Sequence, residues 1–178
     1  KLESLHHGSH EPDAFDVTDD RIRGHAVFAR FPGSNMNAIP RPLGRSNTYY
    51  NYFLGNDPEK WVSKAFAYDG VMYEAFYPGV DLEIRSAGQN VKYDFVVAAG
   101  SDPSQIKVVY LGANEIYLEN GNLNIHTSLA DITEKKPVAW QVLDGVKVNV
   151  RCDFRLENNA VSFEFPEGFD ACYELVID

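Results

Sequence analysis

Basic residues are scarce in this chain: 16 Lys and Arg stand against 26 Asp and Glu, giving a formal net charge of -10. Nucleic acid and anionic lipid are bound mainly through clustered Lys and Arg, so neither is an expected partner. Long apolar runs are missing as well. No stretch approaches the roughly 18 residues that a membrane-spanning helix requires, and no membrane insertion is expected. Cysteine is limited to Cys152 and Cys172. One bridge is possible, and a thiolate zinc cluster, built from C-x-x-C-type pairs, is not. Closing that loop would stabilise the fold by roughly 3 kcal/mol; the alternative is two buried thiols acting as small apolar side chains. The opening Lys1-Leu2-Glu3-Ser4-Leu5 has neither a signal-peptide core nor an initiator Met, so the chain reads as a segment excised from a longer precursor.

Catalytic signatures are absent too. There is no G-x-S-x-G elbow, H-E-x-x-H, C-x-x-C, phosphate-cradling G-x-x-x-x-G-K or dinucleotide fingerprint. No cofactor and no metal are expected, and the chain reads as a non-enzyme. Outside the first 20 residues the only histidines are His25 and His126, each expected in a strand, with His126 on a solvent-facing side. A glycoside hydrolase needs only two facing carboxylates, so the strand residues Glu83, Asp94, Glu134 and Glu164 keep that alternative open. It would require a cleft with carboxyl groups roughly 5 to 9.5 Å apart.

What is present is a folding composition, with 44% hydrophobic and 13% aromatic residues. Residues 1–20 read as an extended tail or adapter strand. Its His6, His7, His10 and Asp13 are metal-capable side chains, but nothing fixes the geometry that a metal requires. Residues 21–178 read as one all-β module, or two sub-lobes sharing a sheet. The dominant period is two, the mark of half-buried strands. Val146, Val148, Val150, Cys152, Phe154 and Leu156 alternate with polar residues, and Val161, Phe163 and Phe165 continue the pattern after Asn158-Asn159. One long hairpin is expected there.

Asp69-Gly70, Asn120-Gly121 and Asp144-Gly145 have the chemistry of two-residue hairpin turns, and Ser86 to Asn90 joins two further strands. Asp57-Pro58 and Asp102-Pro103 each place an N-cap carboxylate before a helix-starting proline, sufficient for a turn or two. An antiparallel β-sandwich, or two packed curved sheets, follows. The rings Tyr49, Tyr50, Tyr52, Phe53 and Trp61 lie among Asn47, Asn51, Asn56 and Asp57. Core packing explains them most simply. The alternative is a sugar-stacking platform on Tyr49, Tyr50, Tyr52 and Trp61, because rings cover pyranose faces while amides bond hydroxyls.

Five segments resemble one family in order: Asn51 to Trp61, Tyr73 to Leu82, Val91 to Val97, Gly100 to Ile106 and Asn124 to Ser128. The family is the domain of unknown function found ahead of SBBP-type β-propeller repeats, PKD-like or immunoglobulin-like repeats, and gliding-motility-associated C-terminal sorting domains. That resemblance implies a secreted or cell-surface bacterial protein, exported by the type IX route. It implies downstream repeat domains of the same polypeptide as partners; an extracellular glycan, suggested by the Tyr49 to Trp61 ring cluster, or an extracellular protein is a further candidate. No activity comes with the resemblance. The segment lacks upstream strands expected of such a module and stops at Asp178, where the family runs on, so an unpaired edge and pairing with another copy are expected.

Overall fold

The computed structural model describes residues 23–88 and 90–178, and the tail expected over 1–20, with His6, His7, His10 and Asp13, lies outside them. The described chain forms β1 (Phe28–Arg30), β2 (Pro40–Tyr52), β3 (Val62–Tyr77), β4 (Val80–Ala87), β5 (Asn90–Val97), β6 (Val108–Leu111) and β7 (Glu115–Glu119). It continues with β8 (Asn122–His126), β9 (Asp131–Glu134), β10 (Ala139–Leu143), β11 (Val146–Val150), β12 (Asp153–Glu157), β13 (Ala160–Glu164) and β14 (Leu175–Ile177). The two Asp-Pro starts become single 3-10 turns: the Asp57 and Asp102 carboxylates accept from the backbone N–H groups of Glu59 and Ser104.

Three antiparallel sheets result, as the period-two pattern requires. One has seven strands in the order β11-β10-β14-β5-β4-β3-β2, one has four in the order β1-β6-β13-β12, and the third is β7-β8-β9. The inward side of the large sheet buries Val80, Leu82, Phe95, Val97, Leu175 and Ile177 almost completely. Phe163 of the four-stranded sheet meets Phe95 edge-on at 5.9 Å, joining the two layers. A second cluster packs Val108, Tyr110 and Val161 against Leu123 and Ile125 of β8, and Phe31 touches both clusters.

Local turn chemistry succeeds at three hairpins. Asn120 and Gly121, Asp144 and Gly145, and Asn158 and Asn159 all have positive φ, as primed turns demand. The register of β4 against β5 closes at Ala87 and Asn90, joining the strands expected there.

Three strand-level expectations are corrected. Asp69-Gly70 is no turn: both residues lie inside β3, where Gly70 pairs with Leu43 on one side and Arg85 on the other. Glycine is needed there for clearance, since a Cβ would lie 2.6 Å from the Ile84 carbonyl oxygen. The turn that ends β3 is Pro78-Gly79, with Gly79 at φ 69. The long strand from Val146 to Leu156 is also cut in two. β11 is an edge of the seven-stranded sheet and β12 an edge of the four-stranded one, with the chain crossing between layers at Arg151-Cys152. Alternation survives the crossing because Cys152 fills the space between the sheets, so the sequence pattern carries no sign of the break. His25 differs as well, lying ahead of β1 outside any strand. Its Nε2–H donates to the Gly112 carbonyl at 2.7 Å and its Nδ1 lies 2.8 Å from the Ser128 hydroxyl, tying the entering chain to the far side of the fold.

Candidate functional site

Strand length creates the most exposed feature of the fold. β2 has 13 residues and β3 has 16, but β4 accompanies β3 only from Gly70 to Tyr77. Between Val62 and Asp69, β3 pairs among the described residues with β2 alone. A two-stranded ribbon therefore extends past the sheet, closed by residues 53–61, and among the described residues no layer packs across it. We call it the arm.

Aromatic side chains line this arm. Tyr49, Tyr50, Tyr52, Phe53, Trp61 and Tyr68 are all 43% exposed or more. The core-packing reading of the ring cluster is thus corrected: among the described residues no second sheet lies opposite the ribbon to bury it. The cross-strand register sorts the rings. Tyr49 stands opposite Phe66, their centroids 5.9 Å apart edge-on, and the Arg45 guanidinium sits 3.6 Å over the Phe66 ring. Tyr50 stands opposite Ala65, and Tyr50 and Tyr52 lie 6.4 Å apart with a 38° tilt. Small Ala65 leaves Tyr50 without a bulky neighbour across the ribbon.

At the tip, Phe53 and Trp61 meet edge-on at 5.5 Å, and the Trp61 indole N–H donates to the Gly55 carbonyl at 3.3 Å. Asn51 is partly committed, its Oδ1 accepting from the Lys64 N–H at 2.9 Å. That bond holds Lys64 at φ 57, where the register shifts. The structure brings Tyr49, Tyr50, Tyr52 and Trp61 onto one projecting element, but on different sides of it. Residues 66 and 68, which the sequence reading did not include, belong with them. Their signal was the alternation Ala65-Phe66-Ala67-Tyr68 opposite the tyrosine-rich strand.

The four strand carboxylates do not gather in a cleft. Glu83 and Asp94 stand opposite each other in the β4–β5 register, on the outer side of the large sheet. Arg85 bridges them, with Nε 3.4 Å from Glu83 and Nη2 bonded to Asp94 Oδ2. Burial raises the Asp94 pKa against that pairing. Glu164 is paired with Arg155 at 3.1 Å. Glu134 accepts from the Tyr93 and Tyr110 hydroxyls at 2.6 and 2.5 Å. Each carboxylate thus has its own local partner, although the buried Oδ1 of Asp94 accepts no hydrogen bond from the described residues.

Two grooves open at the layer edges. One, about 640 Å³, is apolar and runs beneath residues 28–38 against Tyr73, Phe76, Leu82 and Ile84. The other, about 560 Å³, lies between β5, β9 and β12 and includes Lys92, Tyr93, Glu134 and Asp178. Neither includes a residue of the arm. Cys152 and Cys172 are separate thiols, the first buried and the second exposed. Burial pushes the Cys152 thiol up to about 12, which removes its nucleophilicity at neutral pH. His126 is a surface strand residue, its Nδ1 2.6 Å from Asp131. Among the described residues no group of three His, Cys, Asp or Glu side chains is placed to hold a metal ion, and no helix is long and apolar enough to cross a membrane.

The family described as "Domain of unknown function (DUF7948)" matches residues 1–178. No curated protein and no solved structure matches the chain.

Proposed function

The chain belongs to the DUF7948 family, whose description assigns no activity, and on that premise we propose that it is a non-catalytic interaction module of a secreted or cell-surface bacterial protein, docking to glycan chains through the aromatic arm. The carrying observation is the exposure of Tyr49, Tyr50, Tyr52, Phe53 and Trp61 on a ribbon that no layer covers among the described residues. A two-stranded ribbon in water is marginal by itself, and a ring-covered one gains by docking. Rings cover the apolar faces of sugars, and the neighbouring Asn47, Asn51 and Asn56 supply amides for hydroxyls. Charge fits the same partner class. Between residues 45 and 68 the arm carries Arg45, Lys60 and Lys64 against Asp57 and Glu59, so it is nearly neutral in a strongly acidic chain and suits an uncharged ligand. In this reading the body of the module spaces or presents downstream repeat domains.

The test is isothermal titration against a panel of soluble neutral polysaccharides. At least one is expected to bind, and Tyr50→Ala with Tyr52→Ala is expected to weaken it roughly ten- to hundred-fold, since each stacked ring contributes about 0.5–1.5 kcal/mol beyond its buried area. Both rings are exposed, so the circular-dichroism spectrum should not change. An affinity unaltered by the double substitution would remove the arm from the reading, and silence across the panel would remove glycans.

A further inference from the structure

The two edges of the seven-stranded sheet are built differently. On the β2 edge, Pro40 and Pro42 lack backbone donors and the register shifts twice, features that keep an added strand away. The β11 edge has none of these: Val146-Lys147-Val148-Asn149-Val150 pairs with β10 residue by residue without a shift.

Hairpin geometry fixes where the β11 backbone points. The two-residue turn Asp144-Gly145 makes Leu143 and Val146 a hydrogen-bonded pair, and alternation extends this to Gln141 with Val148 and Ala139 with Val150. The other side of β10 agrees, because Val138 and Asp178 exchange both backbone bonds at 2.8 Å toward the β14 side. Lys147 and Asn149 therefore aim their N–H and C=O groups away from the sheet. Among the described residues no strand pairs with β11 on that side. On one side of this edge Val146 and Val148 are 63% and 40% exposed, and on the other Val142, 54% exposed, stands beside Lys147.

The geometry points to a second copy of this chain as the occupant, its β11 added antiparallel to the first across a two-fold axis at Val148. In that register Lys147 and Asn149 of one copy exchange backbone bonds with Asn149 and Lys147 of the other. The valines then face one another, Val148 against Val148 and Val146 against Val150, on one side of a continuous sheet. Lys147 falls opposite the uncharged Asn149. Self-complementarity singles out this register: the neighbouring ones that also use the outward groups set Lys147 against Lys147 or against Arg151, and like charges directly opposed are destabilising. The apolar-polar alternation of β11 thus reads as an isologous contact. A five-residue ladder is a small interface, so association should depend on concentration. With a formal charge of -10 on each copy, it should strengthen with added salt.

Sedimentation velocity of the whole chain over a concentration series tests this, with circular dichroism as the folding control. The wild type is expected to move from 20.0 kDa toward twice that mass. Val148→Lys and Val148→Glu should each stay monomeric, because two like charges would meet on the axis, and an equimolar mixture of the two should recover the dimer. Asn149→Pro, which removes no bond to β10, should also weaken the dimer. A wild type monomeric at every concentration overturns the proposal. So does a dimer that survives Val148→Lys and Asn149→Pro, or a mixture that fails to recover.

Discussion

Phe95→Ala is expected to lower the free energy of unfolding by about 3–5 kcal/mol, the range for a large ring removed from a packed core. Phe95 is fully buried in β5, and its ring meets three others edge-on: Phe31 at 6.2 Å, Tyr93 at 5.8 Å and Phe163 at 5.9 Å. Those three come from the segment after β1, from β5 itself and from the four-stranded sheet. The site cannot collapse easily, because closing it would require two sheets to move together. Since domains are stable by only about 5–15 kcal/mol, this one change consumes a large fraction of the total. Urea denaturation should show a lower midpoint with an unchanged slope. A loss below about 1 kcal/mol would mean that the two layers are not joined through this ring.

Alkali should unfold the protein steeply. Tyr77, Tyr93, Tyr110 and Cys152 all hold their protons more tightly in the native state than their ordinary values of 10.0 and 9.0. Burial is the first cause in each case. The Glu134 carboxylate adds to it for Tyr93 and Tyr110 by opposing a second negative charge. A native pKa above the unfolded one gives stability that is complete below the unfolded pKa and is lost as pH rises, because only the unfolded chain can release the proton. Each fully shifted group removes about 1.4 kcal/mol per pH unit. Tyr93 and Tyr110 together remove roughly 3 kcal/mol for each unit above about pH 11, Cys152 adds its share until about pH 12, and Tyr77 acts in the same direction. Urea midpoints measured across this range should fall accordingly, with tyrosinate absorbance rising in step with unfolding. Tyr110→Phe should make the fall shallower. A smooth tyrosine titration centred near pH 10 with the fold intact would contradict this account.

How much was legible in the sequence followed the range over which the information acts. Asn120-Gly121, Asp144-Gly145 and Asn158-Asn159 were readable because positive φ is a local demand that Asn, Asp and Gly satisfy. Asp69-Gly70 carries the same chemistry and sits mid-strand, because its glycine answers a neighbouring strand's carbonyl and not a turn. The strand from Val146 to Leu156 alternated without a flaw across a change of sheet. Alternation records which side faces inward and not which layer a residue joins.

The ring cluster failed for a related reason. Burial of Tyr50 or Trp61 depends on whether a layer lies opposite, and that follows from β4 being shorter than β2 and β3. Exposed aromatics and core aromatics look alike in a sequence. Only the alanines facing Tyr50 and flanking Phe66 hinted that this ribbon was lined by rings without being filled by them. The place of β11 at the rim was equally hidden, since Val-Lys-Val-Asn-Val reads the same at the rim of a sheet as at its centre.

Trp61 gives the most direct readout of the arm's role. With Trp140→Phe it is the sole tryptophan, 43% exposed at the tip, so iodide should quench its fluorescence freely. A saturating polysaccharide that occupies the rings should cut that quenching several-fold. Quenching left unchanged by a polysaccharide that titration shows to be bound would place the ligand elsewhere on the molecule.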